Sequence, residues 1–173
     1  MTTDLVERLA AARIGSTYNQ YADSELRRER LRRYLAERAH VPLLLVGEAP
    51  GYRGTRVSGL PLTSERQLTG TGPAEATATI VHRVLAELGI SADVLLWNVV
   101  PTHPHRTGVP SSNRAPSRAE IEASASFLAE LACDRRVLAL GRIAHAAVGG
   151  PYIRHPAQGG AAAFQVGLAA ALQ

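Results

Sequence analysis

The sequence predicts an α/β domain of three layers, αβα, built on a central, mainly parallel sheet of four strands. Short, largely apolar runs at 43–46, 93–97 (apolar from Val94) and 137–140 have the length of buried parallel strands. Segments with helical spacing lie between them, and strands that alternate with helices pair in parallel under helices on both faces. The chain has 173 residues, 46% hydrophobic and 20% charged, which fits one domain with a sizeable core and is too apolar for disorder. Residues 1–173 are therefore expected to form a single domain, with helices over 1–40 packing on the rest.

Two amphipathic helices open the chain. In the first, Leu5, Val6, Leu9 and Ala12 share a face. The second is expected over 23–40, with Leu26, Leu31, Tyr34 and Leu35 inward and Arg27, Arg28, Arg30, Arg32 and Arg33 mostly outward. Glu25, Glu29 and Glu37 can balance those arginines as a solvated face; contact with phosphates is the alternative. Pro42 leads into the first strand. From 73 to 88, Ile80, Val81, Val84, Leu85 and Leu88 recur at helical spacing until Gly89 stops them. The second strand, 93–97, runs into a proline-rich loop over 98–116. Ser117-Arg118-Ala119-Glu120 has the form of a capping box and starts a helix ending near Ala132. A third strand (137–140), a short helix (141–148), a fourth strand (152–154) and a closing helix (161–172) complete the order, with no internal repeat or linker.

Composition narrows the chemistry. All 19 basic residues are arginine, so lysine Schiff-base catalysis and a phosphate loop ending in lysine are excluded. The terminal amine is the one conceivable substitute, and nothing in the sequence directs it to a site. The net charge of +4 is a weak pointer to polyanions. Cys133 is the single cysteine, which rules out an internal disulfide and a four-cysteine metal or iron–sulfur site; beside Asp134 near a helix end, it reads as structural. No apolar run approaches the ~20 residues of a membrane span, and the opening "MTTDLVERLAAARI" lacks a signal-peptide pattern, so a cytoplasmic protein without membrane contact is expected.

In open parallel sheets, ligands bind beyond the carboxyl ends of the strands. Three irregular segments leave such ends: 47–72, 98–116 and 155–160. In the first, Gly47 and Gly51 permit close backbone approach, Pro50 stiffens the turn, and free N–H groups there can hold a ligand oxygen. Glu48 directly follows a buried strand, where a carboxylate must be paired, solvated or used. Ser64-Glu65-Arg66-Gln67 fits a second capping box, which makes Glu65 first-turn decoration. Asn98, in "LLWNVVPTHPHR", offers a donor and an acceptor side by side; it either suits the edge of a planar amide-like ligand or bonds its own loop. His103 and His105 flank Pro104, but without a third ligand they are weak evidence for a metal, and none is expected. In "YIRHPAQGG", His155 can donate to a developing anion in a partly desolvated cleft, although a lone strand-end histidine reads as structural.

Together, "GEAPG", "GLPLTSE", Asn98 of "WNVVP" and "RHPAQGG" resemble the motifs of the uracil-DNA glycosylase superfamily in order, strand-end placement and spacing. The resemblance covers most of the chain, from Leu43 on, and is nearest to branches whose first motif is Gly-Glu-x-Pro-Gly. It implies a uracil-DNA glycosylase-like fold and a monofunctional, metal-free and cofactor-free glycosylase. Such an enzyme removes uracil or a related deaminated base from DNA in base excision repair, as a monomer associated with the nucleoid.

By the same resemblance, Glu48 or the backbone of the 47–51 turn would position water at the sugar. Gly47, Ala49 and Leu62 would wall the base, and Asn98 would read its amide edge. His155 would hydrogen-bond the base carbonyl that gains charge. Pro50, Gly51, Arg154, Gly159 and Gly160 would hold flanking phosphates. The physics agrees: a base in duplex must be flipped out at a cost of a few kcal/mol. Cleavage then leaves positive charge on the sugar and negative charge on the base, which a carboxylate and a histidine stabilise from opposite sides.

Four departures from the pattern stand out. The cysteines of the iron–sulfur branch are missing, so no cluster is expected. Ala49 stands where other branches have Asp or Asn, and Leu62 where an aromatic usually stacks on the base. Ala157 replaces the serine of His-Pro-Ser, and "AQGG" offers no apolar wedge. These departures motivate a second reading, a catalytically silent DNA- or base-binding member of the fold. A third reading, a nucleotide-binding α/β protein, lacks both the lysine and a full Gly-x-Gly-x-x-Gly.

Overall fold

The computed structural model describes residues 2–173. Its centre is a four-stranded, all-parallel sheet of β1 (Leu43–Gly47), β2 (Val94–Asn98), β3 (Arg136–Leu140) and β4 (Tyr152–Ile153). The spatial order is β2-β1-β3-β4. This is the expected α/β class, with helices around the sheet. Every residue of β2 and the last four of β1 are buried, which is why these strands read as continuous apolar runs without alternation. Pairing in register sets Gly47 beside Asn98 at the carboxyl ends of adjacent strands. On the open side of β2, the Leu96 N–H donates to the Tyr34 hydroxyl at 2.7 Å, so the edge does not leave that buried donor orphaned.

The helices are α1 (Thr2–Ala11), α2 (Glu25–Glu37), α3 (Thr55–Ser58), α4 (Glu65–Thr69), α5 (Ala76–Glu87), α6 (Arg118–Ala132), α7 (Arg142–Val148) and α8 (Ala161–Ala171). All but α3 and α4 follow the expected order, and of those two the start of α4 is the one the second capping box had marked. Both occupy the long first loop, a stretch that reads as irregular by periodicity, because segments of one turn are too short to show a hydrophobic period. Both capping boxes form, with Ser117 and Glu120 reciprocally bonded at the start of α6 and Ser64 and Gln67 at the start of α4.

Helix α2 corrects two expectations. Leu26 is 60% exposed, because Ser24 caps the helix and the first turn projects past the core, while Leu31, Tyr34 and Leu35 are buried as expected. Of the five arginines only Arg33 is exposed; the other four are partly buried. Arg27 donates to the Val57 carbonyl, and Arg30 donates to the Ser58 carbonyl and both Glu65 oxygens. Arg28 pairs with Glu25, and Arg32 with Glu7, Glu25 and Glu29. Glu37 is spent on Arg38 rather than on the run. Arg27 and Arg30 thereby clamp the first loop to the N-terminal helices. Cys133 caps the end of α6 and lies exposed, its thiol toward Asp134. Among the described residues, no helix is long and apolar enough to cross a membrane. The terminal amine, on Met1, lies outside the described residues.

Candidate active site at the carboxyl edge of the sheet

Gly47, Leu62 and Asn98 meet at the ends of β1 and β2. A Cβ placed on Gly47 would lie 2.9 Å from Asn98 Oδ1 and 3.0 Å from a Leu62 methyl, so any side chain there would push the amide or the leucine aside. Asn98 is 1% exposed, and its Oδ1 is buried without any hydrogen-bond partner among the described residues. A buried amide oxygen left unpaired costs about 1–3 kcal/mol. Most buried polar atoms are satisfied, so an orphan at a strand end makes Asn98 a candidate ligand contact. The alternative, an asparagine bonded to its own loop, is not what the structure contains.

Leu62 adds a second irregularity. Its φ is +50°, a left-handed conformation that costs a leucine roughly 1–2 kcal/mol. Its N–H donates to Thr55 Oγ1 at 3.1 Å, which holds it there. The side chain thus covers Gly47 beside the buried amide, and the space in front of Asn98 is closed.

The first two loops are laced together. Val99 and Val100 N–H groups donate to the Gly47 and Glu48 carbonyls. His103, fully buried, donates from Nδ1 to the Pro50 carbonyl at 2.7 Å, with Nε2 toward the Pro110 carbonyl. Burial holds its pKa below the ordinary histidine value, so the ring is a neutral strut committed to backbone. The Tyr52 N–H donates to Asn113 Oδ1 at 2.9 Å. Glu75, just before α5, presses its carboxylate against Gly51 and Gly54, which gives both glycines a packing reason; burial pushes that carboxyl up.

Glu48 itself is half-buried and makes no side-chain hydrogen bond or ion pair among the described residues. Burial raises its pKa above the ordinary carboxylate value. Of the three possibilities open to a strand-end carboxylate, pairing is the one that does not occur.

His155 stands two residues beyond β4, half-buried, with its ring against Gly141 at the end of β3. Its Nδ1 accepts the Ala157 N–H at 3.2 Å, which fixes the tautomer with the proton on Nε2. Burial, then the charge of Arg154, lowers its pKa, so the ring is neutral at pH 7. The Gly160 Cα lies so close to the His155 carbonyl that no side chain fits, and Gly159 takes φ +77°. These glycines close the tight turn that carries His155 and start α8. Arg154 is exposed beside them. Strand order places this turn two strands from β1 on the same edge of the sheet, while Gly47, Leu62 and Asn98 are the ones in direct contact.

The model of the uracil DNA glycosylase superfamily matches residues 35–166, a span that takes in all three strand-end loops. The chain belongs to that superfamily. SMUG2 of Pedobacter heparinus superposes on it with a TM-score of 0.58 at 14% identity, covering 81% of this chain and 75% of that chain. That likeness is one of fold. No curated protein matches the chain.

The superfamily's DNA glycosylase chemistry therefore frames the carboxyl-edge loops of this chain. Beside them the structure shows a group that the motifs do not mark: Tyr52, Arg53, Arg56 and Arg66 share an open cleft next to Gly51. The run "YRGTR" right after the first motif, an aromatic interleaved with arginines, was the available signal. Among the described residues, no cluster of His, Cys, Asp or Glu is arranged to hold a metal ion.

Proposed function

We propose that this superfamily member is a monofunctional DNA glycosylase that hydrolyses the N-glycosidic bond of uracil, or of a related deaminated base flipped out of DNA, in base excision repair. One observation carries the reading: the orphaned, buried amide of Asn98 beside Gly47 and Leu62, where a base edge would replace the missing partner. An amide that presents donor and acceptor together matches the N3–H and carbonyl edge of uracil.

The other residues fall into complementary roles. The Nε2–H of His155 donates to the base carbonyl as negative charge develops, and a neutral donor suits an anion that must not be protonated early. Glu48 faces the sugar side. Its carboxylate stabilises positive charge at the anomeric carbon and takes a proton from water as the water oxygen bonds that carbon; the glycosidic pair leaves on the base. Products are the free base and an abasic site, with no amine adduct, since the chain has no lysine. Ala49 and Leu62 wall the base. Pro50, Gly51, Arg154 and the Gly159-Gly160 turn face flanking phosphates, and the protein acts as a monomer.

The deciding experiment incubates the protein, without added metal, with labelled oligonucleotides carrying uracil, hypoxanthine or xanthine, followed by alkali. Cleavage at the uracil position is expected. Closure of Leu62 over Asn98 favours a second reading, a silent member that binds DNA without excision. Lesion-independent binding with no cleavage on any substrate would establish that reading instead.

A further inference from the structure

Nineteen arginines against 15 carboxylates leave a surplus of charge, and three of the arginines without a carboxylate partner gather in one place. Arg27, Arg28, Arg30 and Arg32 of α2 are spent on Asp23, Glu25, Glu29, Glu7 and Glu65. Arg53, Arg56 and Arg66 have no carboxylate partner among the described residues. They line one open cleft of about 560 Å³ with Tyr52, Val57, Pro73 and Ala74, and no acidic side chain lines it. Glu75 lies behind the Gly51–Gly54 turn rather than in the cleft.

Arg56 is built in. Its guanidinium is layered 4.5 Å from the Tyr52 ring centre and 4.9 Å from that of Tyr18. Its Nε is buried with no hydrogen-bond acceptor among the described residues. Tyr18 is itself pinned by paired backbone bonds to His103, so the stack stands on the same loop that braces the first motif. Arg66 spends only its Nε, on the Gly72 carbonyl, and the Arg53 guanidinium spends nothing among the described residues. A guanidinium fixed between two rings with open donors, flanked by two more, is arranged for an oxyanion with several acceptor oxygens.

We propose that this cleft holds the phosphodiester backbone of the DNA strand at positions outside the base pocket, so that the strand leaves the pocket over Tyr52 and is gripped by Arg53, Arg56 and Arg66. The inference rests on DNA being the substrate, as proposed above, and extends it to residues outside the motifs. The cleft begins one residue after Gly51, which makes it continuous with the first-motif turn.

The test compares wild-type protein with R53Q/R66Q, both arginines being exposed, and with R83Q/R118Q. The second pair removes the same charge from arginines already held by Glu87 and Glu122. The probe is a fluorescein-labelled duplex without a lesion, titrated between low and physiological salt, with thermal melts run alongside. The cleft variant should bind at least tenfold more weakly at low salt, and its log–log salt slope should be shallower by about 1.8, roughly 0.9 for each phosphate no longer neutralised. The control pair should leave both unchanged. Equal binding by wild type and cleft variant, or equal weakening in both double variants, overturns the proposal. Inorganic pyrophosphate that raises the melting temperature of wild type but not of R53Q/R66Q, at a concentration that leaves duplex binding untouched, would assign the cleft to a free anion and also overturn it. Base excision is scored separately: a wild type that excises nothing but loses its salt slope in R53Q/R66Q removes the glycosylase reading and keeps this one.

Discussion

Two glutamates beside the loops of the carboxyl edge live in opposite conditions. Glu120, 2% exposed at the start of α6, accepts from both terminal nitrogens of Arg114 at 2.6 and 2.8 Å and from the Ser117 N–H. Arg114 above all, with help from Ser117 and against the cost of burial, holds its carboxyl down at about 2. Glu48 has no partner, and burial alone moves it the other way. Two asparagines repeat the contrast. Asn19 donates to the carbonyls of Leu9, Ala10 and Ala12 and accepts from the Tyr21 N–H, whereas Asn98 keeps a buried oxygen empty. Glu120 and Asn19 are saturated by the scaffold they help to build, while Glu48 and Asn98 are left with capacity to spare.

The strongest challenge to that division is Asn98→Ala. Base excision in single turnover should fall about 10³-fold, as expected for loss of a preorganised hydrogen-bonding group. The melting temperature should hold or rise, because the substitution deletes an unpaired buried acceptor rather than a bond. A variant that loses activity and melts several degrees lower would place Asn98 with the scaffold and erase the contrast.

Glu48→Gln is expected to lower excision about 10²-fold, again with no loss of stability. The working form is the carboxylate, and its pKa is raised from the ordinary 4.5, so activity should decline as pH falls through a value above that figure. The acid limb should flatten in the glutamine variant, and a pH profile of both proteins reads it. A limb that survives in Glu48→Gln belongs to a group other than Glu48, and the same profile on the Glu48→Gln/His155→Ala double variant tells whether it is His155, whose pKa burial and then the charge of Arg154 lower.

The smallest effect, and of the opposite kind, is predicted for Glu120→Gln. Removing the charge from a carboxylate hydrogen-bonded to a partly exposed arginine, with the shape kept, should cost about 2 kcal/mol of stability, with excision per folded molecule unchanged. For a chain of this size that is a drop of roughly 4–8 °C in melting temperature. The sign with pH follows from the depressed value. Glu120's contribution is complete above its ordinary 4.5 and is lost as pH falls toward about 2, so wild type and variant should converge in stability in acid.

Much of this was legible in the chain. The buried runs of β1, β2 and β3 need no partner to be recognised, since a strand covered on both faces is apolar at every position. Ser117 with Glu120, and Ser64 with Gln67, declare helix starts through local geometry alone. Asn98 and Glu48 were visible as polar residues at the ends of apolar runs. Whether such a residue finds a partner was not. Glu120 locks Arg114 six residues away, and Arg114 bonds the His105 carbonyl nine residues away, but its bond to Ser16 joins segments 98 residues apart. The outward reading of the α2 arginines held for Arg33, and the balance by Glu25 and Glu29 for Arg28 and Arg32, but it gave way at Arg27 and Arg30 for a related reason. Whether an arginine faces solvent or reaches back to a loop carbonyl is decided by what the loop leaves unsatisfied, not by helical phase.

The sequence by itself determined the layer architecture, the strand-end loops and the set of polar residues that those loops carry, because hydrophobic period, caps and turn residues act over a few neighbours. The tertiary structure decided which of those residues are satisfied and which are kept open. It alone brought Gly47, Leu62 and Asn98 into contact, left the Asn98 oxygen without a partner, forced Leu62 into a left-handed conformation, and gathered Arg53, Arg56 and Arg66 into one cleft free of carboxylates. Saturation of a hydrogen bond or a charge is a property of everything within a few ångströms, and in a parallel sheet those neighbours come from distant parts of the chain.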